Sequence, residues 1–227
     1  MNAAIKFIVW DWNGTLIEDT PLNVACFNRI LSHSGKKKID THGYQSTFEV
    51  PIEKLYFNNG FSEEEVARDK IAHQNLYHDA YDEGILSVGF RKDAREILQE
   101  THQRNIRHII LSNHLVPSIE DHLHRLNAKS FFWNILAHEN RETQRGWHPK
   151  GERLKTLMRD HGLRPENGIV VGDTPEETHI ARETGLTSIA ITGGFATKER
   201  LREAKPDHLI DALQDMPPIL RKRGFVS

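Results

Sequence analysis

The chain has 227 residues, with 30 basic and 32 acidic side chains and a formal charge of -2. That balance argues against a phosphate-backbone binder, which carries a basic excess. A chain this long buries roughly 70–75% of the surface its unfolded form exposes, so it needs no covalent staples. Its single cysteine, Cys26, excludes an internal disulfide and fits a reducing compartment. No run approaches the ~18 apolar residues of a membrane span, and residues 1–10 are too short and wrongly flanked for a secretory signal. The expectation is a cytoplasmic globular protein that binds neither nucleic acid nor membrane.

Residues 5–10, Ile-Lys-Phe-Ile-Val-Trp, form a short apolar run closed by Asp11-Trp12-Asn13-Gly14, the pattern of a buried strand ending in a turn. Residues 19–87 are polar and helical. Thr20-Pro21 opens a helix, with Thr20 as the expected cap and Pro21 in the first turn. A second long helical pattern runs from Ser62 to Tyr81 and starts Ser-Glu-Glu-Glu, acidic where the helix dipole favours it. Residues 91–105 carry Ala94, Ile97 and Leu98 at helical spacing. Residues 107–111 form a second apolar run, closed by Ser112-Asn113, and residues 133–137 a weaker one. Leu154, Leu157 and Met158 mark a helix over 151–161. Residues 168–171 form a strand closed by Gly172-Asp173, and residues 175–184 a helix stopped by Gly185. Residues 187–192 form a strand closed by Gly193-Gly194. Arg221-Lys222-Arg223 is expected to be a solvated tail.

Strands alternating with helices imply an α/β fold, a doubly wound, Rossmann-like parallel sheet. The spacing places this core at 1–18 and 88–227, with 19–87 an inserted helical cap. Such sheets bind ligands beyond the carboxyl ends of their strands. Asp11, Ser112 and Asp173 fall there.

Asp11-Trp12-Asn13-Gly14-Thr15-Leu16 after its strand resembles motif I of the haloacid dehalogenase superfamily. Ser112-Asn113 resembles motif II, Lys150-Gly151 with Leu154 and Leu157 the Lys-Gly form of motif III, and Gly172-Asp173-Thr174-Pro175-Glu176-Glu177 motif IV. Residues 181–201 look like the same region of phosphoglycolate-phosphatase-like members. The resemblance implies Mg²⁺-dependent hydrolysis of a small phosphorylated metabolite, with Asp11 as nucleophile. It also implies Mg²⁺ held by Asp11, Asp173 and the main-chain carbonyl of Asn13, with Glu177 beside the metal. Lys150 would neutralise phosphate and Asp11. Ser112, Asn113 and the turn Trp12-Asn13-Gly14-Thr15 would face the substrate. The chemistry is coherent, since a carboxylate nucleophile divides phosphoryl transfer into two easier steps and the charge on the transferring group requires nearby donors and cations.

The sequence departs from the pattern at Asn13, where phosphatases of this superfamily carry a second aspartate as acid and base. An amide can do neither, and losing that help costs ~10²–10⁴ in rate. Several readings stay open: a slow phosphatase, one that favours good leaving groups, or one that takes its proton from another group such as His114. A catalytically impaired ligand-binding protein is a further alternative. So is a phosphonatase-type C–P hydrolase using a cap lysine, the candidates being Lys36, Lys37, Lys38, Lys54 and Lys70. Arg91 and Lys92 are candidates for a second anion contact.

Overall fold

The computed structural model describes residues 5–145 and 149–226. The chain begins with strand β1 (Phe7–Trp10) and then runs through four helices, α1 (Thr20–His33), α2 (Thr41–Thr47), α3 (Glu53–Asn58) and α4 (Glu63–Gly84). It returns through α5 (Ala94–Gln103), β2 (Arg107–Leu115), α6 (Val116–Arg125), β3 (Phe132–His138) and α7 (Arg141–Arg145). It continues with α8 (Lys150–Asp160), β4 (Gly168–Gly172), α9 (Pro175–Thr184) and β5 (Thr187–Ile191), and ends with α10 (Lys198–Glu203), β6 (His208–Ile210) and α11 (Met216–Lys222).

The strands form a sheet of order β3-β2-β1-β4-β5-β6, parallel at every pairing. The order reverses at β1, which lies between β2 and β4. That is the position where doubly wound sheets open a crevice. Side chains on a strand alternate between faces. Phe7 and Val9 accordingly pack with Leu154, Met158 and Ile180 of α8 and α9, while Ile8 and Trp10 pack with Leu98, Ile119, Leu123 and Met216 of α5, α6 and α11. Both faces of β1 are therefore buried, which is why its sequence is continuously apolar.

Two sequence expectations change and one strand is added. Strand β2 does not stop at Leu111. Leu111 faces Leu136 and Leu115 faces His138, so residues 112–114 bow out of the ladder where β3 has only Ala137. This bulge re-aims Ser112 and Asn113 at the sheet edge. Strand β6, three residues long and too short to read from sequence, completes the far edge. Finally, Asp19 and not Thr20 caps α1, and its side chain makes no capping bond. The carboxylate is committed elsewhere, as described below.

The other helix signals hold. Ser62 caps α4 in a reciprocal capping box with Glu65, and Pro21 sits in the first turn of α1. The helical segment crosses to the core over two adjacent stretches. Glu18 N donates to Gly89 O at 3.2 Å and Arg91 N to Leu16 O at 2.8 Å. Its apolar centre, Val24, Phe27, Leu31, Tyr44, Leu55 and Phe61, also receives Phe195 from the loop after β5. Gln45 and Arg200 add cross-links, the former to Gly194 O at 2.7 Å and the latter to the carbonyls of Gln45 and Phe48. Among the described residues, no helix is long and apolar enough to cross a membrane.

Candidate active site

Asp11 leaves β1 with its main-chain N–H on Val171 O at 2.9 Å, so it is pinned to the carboxyl edge beside β4. Lys150, the first residue of α8, is buried and donates to Asp11 Oδ1 at 2.7 Å and Glu177 Oε1 at 2.6 Å. Its Nζ also lies 3.1 Å from Glu176 Oε2. Glu176 was missed in the sequence, although its place next to Glu177 in the Gly-Asp-Thr-Pro stretch was a usable signal. Asp173 is fully buried and accepts from Thr15 Oγ1 at 2.8 Å and from Phe195 N at 2.5 Å. A Cβ at Gly14 or Gly194 would overlap the Asp173 carboxylate, and Gly14 also has φ +71°. Only glycine fits that turn.

Three carboxylates, those of Asp11, Glu176 and Glu177, therefore surround one ammonium, with Asp173 nearby. Among the described residues, Lys150 is the cation that forms ion pairs with them. Burial pushes the Asp11 carboxyl well above the usual range against the pull of Lys150. Burial and the neighbouring Glu177 push Asp173 up to about 6. Burial also acts to lower Lys150, but Asp11, Glu176 and Glu177 outweigh it and hold the ammonium firmly protonated. The cluster is short of positive charge.

The donor set is hard oxygen, the chemistry Mg²⁺ takes while keeping several waters. Such an ion needs no closed cage, and among the described residues no three His, Cys, Asp or Glu side chains form one. Each Asp173 oxygen accepts a single hydrogen bond and retains a lone pair. Asp11 and Asp173 thus fit a water-rich Mg²⁺. Glu177, expected beside the metal, is committed differently: one oxygen holds Lys150 and the other accepts from Thr174 Oγ1 at 2.7 Å.

Around motif I a second buried carboxylate organises the turn. Asp19 is fully buried and accepts four donors, Gly14 N at 2.8 Å on Oδ1, and Asn13 Nδ2 at 2.6 Å, Asn23 Nδ2 at 2.8 Å and Tyr81 Oη at 2.9 Å on Oδ2. Asn13 Nδ2 also donates to Tyr81 Oη at 2.8 Å. Both amide protons of Asn13 are committed, and Asn13 has none to give. The Gly14 N–H, expected to face substrate, is held by Asp19 instead, and the Thr15 hydroxyl by Asp173. Asp19 and Tyr81 were not read from the sequence. The available signal was an acidic residue directly before a helix that Pro21 had already started.

Ser112 Oγ accepts from His114 N at 3.1 Å and reaches Asn13 Oδ1 at 3.5 Å. Asn113 Nδ2 donates to Glu176 Oε2 at 3.2 Å. The motif II pair thus joins the cluster. His114 is buried edge-on against Tyr81, and burial pulls its imidazole down to about 3, so it holds no imidazolium proton at neutral pH. The Trp12 indole turns away from the site and packs on Phe90 and His122, which leaves only its main chain for a substrate. Arg91 donates to the carbonyls of Gly14 and Thr192 and is a structural clamp, not an anion site. Lys92 is exposed. Lys37 and Lys38 are exposed, and Lys36, Lys54 and Lys70 pair with Glu65, Glu49 and Glu53. A Schiff-base lysine is activated by desolvation or a neighbouring cation, whereas two of these lysines are exposed and three are held in ion pairs.

Comparison with known proteins agrees with this geometry. The family model described as haloacid dehalogenase-like hydrolase matches residues 8–191. A phosphoglycolate phosphatase of Synechococcus elongatus is 26% identical over 212 residues, covering 93% of this chain and 95% of its own. Pyrophosphatase PpaX of Bacillus mycoides is 20% identical, covering 96% and 98%. A solved haloacid dehalogenase-like hydrolase from Streptococcus pneumoniae superposes with a TM-score of 0.80 at 21% identity, covering 95% and 98%. With the motif residues gathered at one sheet edge and the match running through nearly all of the core, this chain belongs to the haloacid dehalogenase-like hydrolase family.

Proposed function

We propose that the protein is a Mg²⁺-dependent phosphomonoesterase that works through an aspartyl-phosphate on Asp11, with residues 19–87 acting as the cap over the site. The observation that carries this reading is the buried Lys150 ammonium on Asp11 at 2.7 Å, at the switch point of the sheet and beside Asp173. In the first step a carboxylate oxygen of Asp11 attacks phosphorus and the P–O bond to the leaving group breaks. In the second, water adds to the acyl phosphate, releases inorganic phosphate and restores Asp11. Lys150 balances charge on Asp11 and on the transferring group, and Ser112 offers a hydroxyl donor. Asp11, Asp173 and the carbonyl of Asn13 would hold Mg²⁺, which would supply countercharge to the phosphoryl oxygens. Asn13 donates no proton, so the leaving oxygen departs as an anion.

The names of the relatives support phosphate-ester or phosphoanhydride hydrolysis as the class. The test is phosphate release from a monoester panel with Mg²⁺ or with a chelator, in the wild type and in Asp11→Asn. The proposal requires release that depends on both Mg²⁺ and Asp11. A second reading, a binding protein of negligible turnover, is favoured by the locked Asn13 amide. In that case Asp11→Asn leaves residual activity unchanged and ligand affinity intact.

A further inference from the structure

Beyond Asn13, between the core edge and the helical segment, lies a cavity of about 500 Å³, within the range of small-molecule sites. Its walls are the aromatic rings of Phe27, Tyr44, Phe48, Tyr56, Tyr77 and Phe195, with Leu55 and Val66 between them. It reaches the catalytic edge through Asn13, Asn113 and His114.

Its charges are few and already engaged. Lys70 lies 3.7 Å from Glu53, and both line the cavity. His73, His78 and His114 are each shifted by burial towards the neutral imidazole. The Tyr77 hydroxyl is held by Asn23 Oδ1 at 2.5 Å. Among the described lining residues, then, no uncommitted cation is available to pair with a carboxylate or a second phosphate. A buried anion without such a partner is strongly disfavoured. Asn13 points independently in the same direction. With no acid at residue 13, a leaving oxygen that is stable as an anion is preferred. Phenols ionise near pH ~10, far more readily than alcohols.

We infer that the cavity receives the organic half of the substrate and that the substrate is an aryl phosphomonoester, not phosphoglycolate or pyrophosphate. This deepens the phosphatase reading above and rests on it. In the reaction the Asp11 oxygen–phosphorus bond forms as the phosphorus–aryloxide bond breaks. The aryloxide leaves with the electron pair and takes its proton from water.

The experiment compares kcat/KM for 1-naphthyl phosphate, 2-phosphoglycolate and pyrophosphate, with acetyl phosphate as a small substrate that does not need the cavity. The expected result is naphthyl phosphate at least 10-fold above 2-phosphoglycolate and pyrophosphate. Gln74→Trp, which fills the cavity from α4, should lower naphthyl phosphate turnover at least 10-fold and leave acetyl phosphate unchanged. Gln74→Arg should raise 2-phosphoglycolate turnover. 2-Phosphoglycolate or pyrophosphate matching or exceeding naphthyl phosphate in the wild type overturns the inference, as does an equal effect of Gln74→Trp on naphthyl and acetyl phosphates. Calorimetry with 1-naphthylmethylphosphonate against phosphonoacetate reads the cavity without turnover. Tighter binding of the naphthyl compound supports the inference, and equal or weaker binding overturns it. Absence of turnover on every substrate, with that binding preference intact, defeats the phosphatase reading and supports the cavity as an aryl site.

Discussion

Replacing Asn13 by aspartate tests the site at its most unusual point. The Asn13 amide nitrogen lies 2.6 Å from Asp19 Oδ2. In Asn13→Asp a carboxylate oxygen takes that place against a fully buried carboxylate. Two unit charges ~3 Å apart at an effective dielectric of ~20 repel by about 5–6 kcal/mol, equivalent to about four pKa units. The pair should therefore retain one proton at neutral pH, shared across a distance that suits a short O–H···O⁻ bond. A protonated carboxyl at residue 13 is the acid the wild type lacks. Turnover of phosphomonoesters with poor leaving groups should rise ~10²–10⁴-fold, the usual scale of general acid–base help, while aryl and acyl phosphates gain little. Adding Asp19→Asn to that variant removes the proton-sharing partner, and the gain should then decay at a lower pH. The assay is phosphate release against pH for alkyl and aryl substrates in the single and double variants, with thermal melts to confirm folding. A folded Asn13→Asp variant with no gain on alkyl substrates would refute the reasoning. So would a pH profile that ignores residue 19.

Three further outcomes are expected. Lys150→Met leaves Asp11, Glu176 and Glu177 without their ammonium and should abolish turnover and cost ~3–5 kcal/mol of stability in urea unfolding; unchanged stability would mean that the cluster is hydrated and not buried. Tyr81→Phe removes one partner of Asn13 and one donor to Asp19, so it should cost ~1–3 kcal/mol but less than 10-fold in kcat, whereas a loss of ~10² or more would make Tyr81 the proton donor. His108 accepts from Trp10 Nε1 at 2.9 Å through Nδ1, and burial holds its imidazole at about 3. The unfolded chain takes up that proton near pH ~6.5, so its stabilising contribution is complete above that pH and lost as pH falls towards 3. Between pH 7 and pH 5, His108→Gln should lose ~2 kcal/mol less stability than the wild type; parallel losses in urea titrations would contradict the buried neutral imidazole.

The sequence was most informative where one residue type serves one geometric need. The continuously apolar β1 announced a strand buried on both faces. Gly14 and Gly194 were demanded by the Asp173 carboxylate packed on them. Lys150 stands at the start of its helix and donates to Asp11 at 2.7 Å. What stayed hidden depended on contacts between distant segments. Asp19 reads as an ordinary helix start, because nothing local says that its carboxylate turns back to Gly14 and across to Tyr81, far along the chain in α4. Strand β6 has three residues and pairs only at the edge, too little for periodicity to register. The bulge at 112–114 is a property of the β2–β3 register, which one strand's sequence cannot express.

Two of the buried carboxyl groups of the site, Asp11 and Asp19, therefore divide its work. Asp11 sits with Lys150 at the crevice, where charge must change during reaction, and its surroundings pull in opposing directions. Asp19 sits behind motif I with four donors and, among the described residues, no cation paired with it, an arrangement suited to constancy. Those donors come from the motif I turn, from α1 and from α4. A shift of either helix must break a hydrogen bond to a buried carboxylate, at ~1.5–3 kcal/mol for a charged acceptor. The placement of the helical segment and the conformation of the turn beside Asp11 are thereby coupled through one side chain. On this argument Asn13 is not a defect left by a missing acid. Its two protons complete that coupling, and the chemistry it gives up is the part that an aryl leaving group does not need.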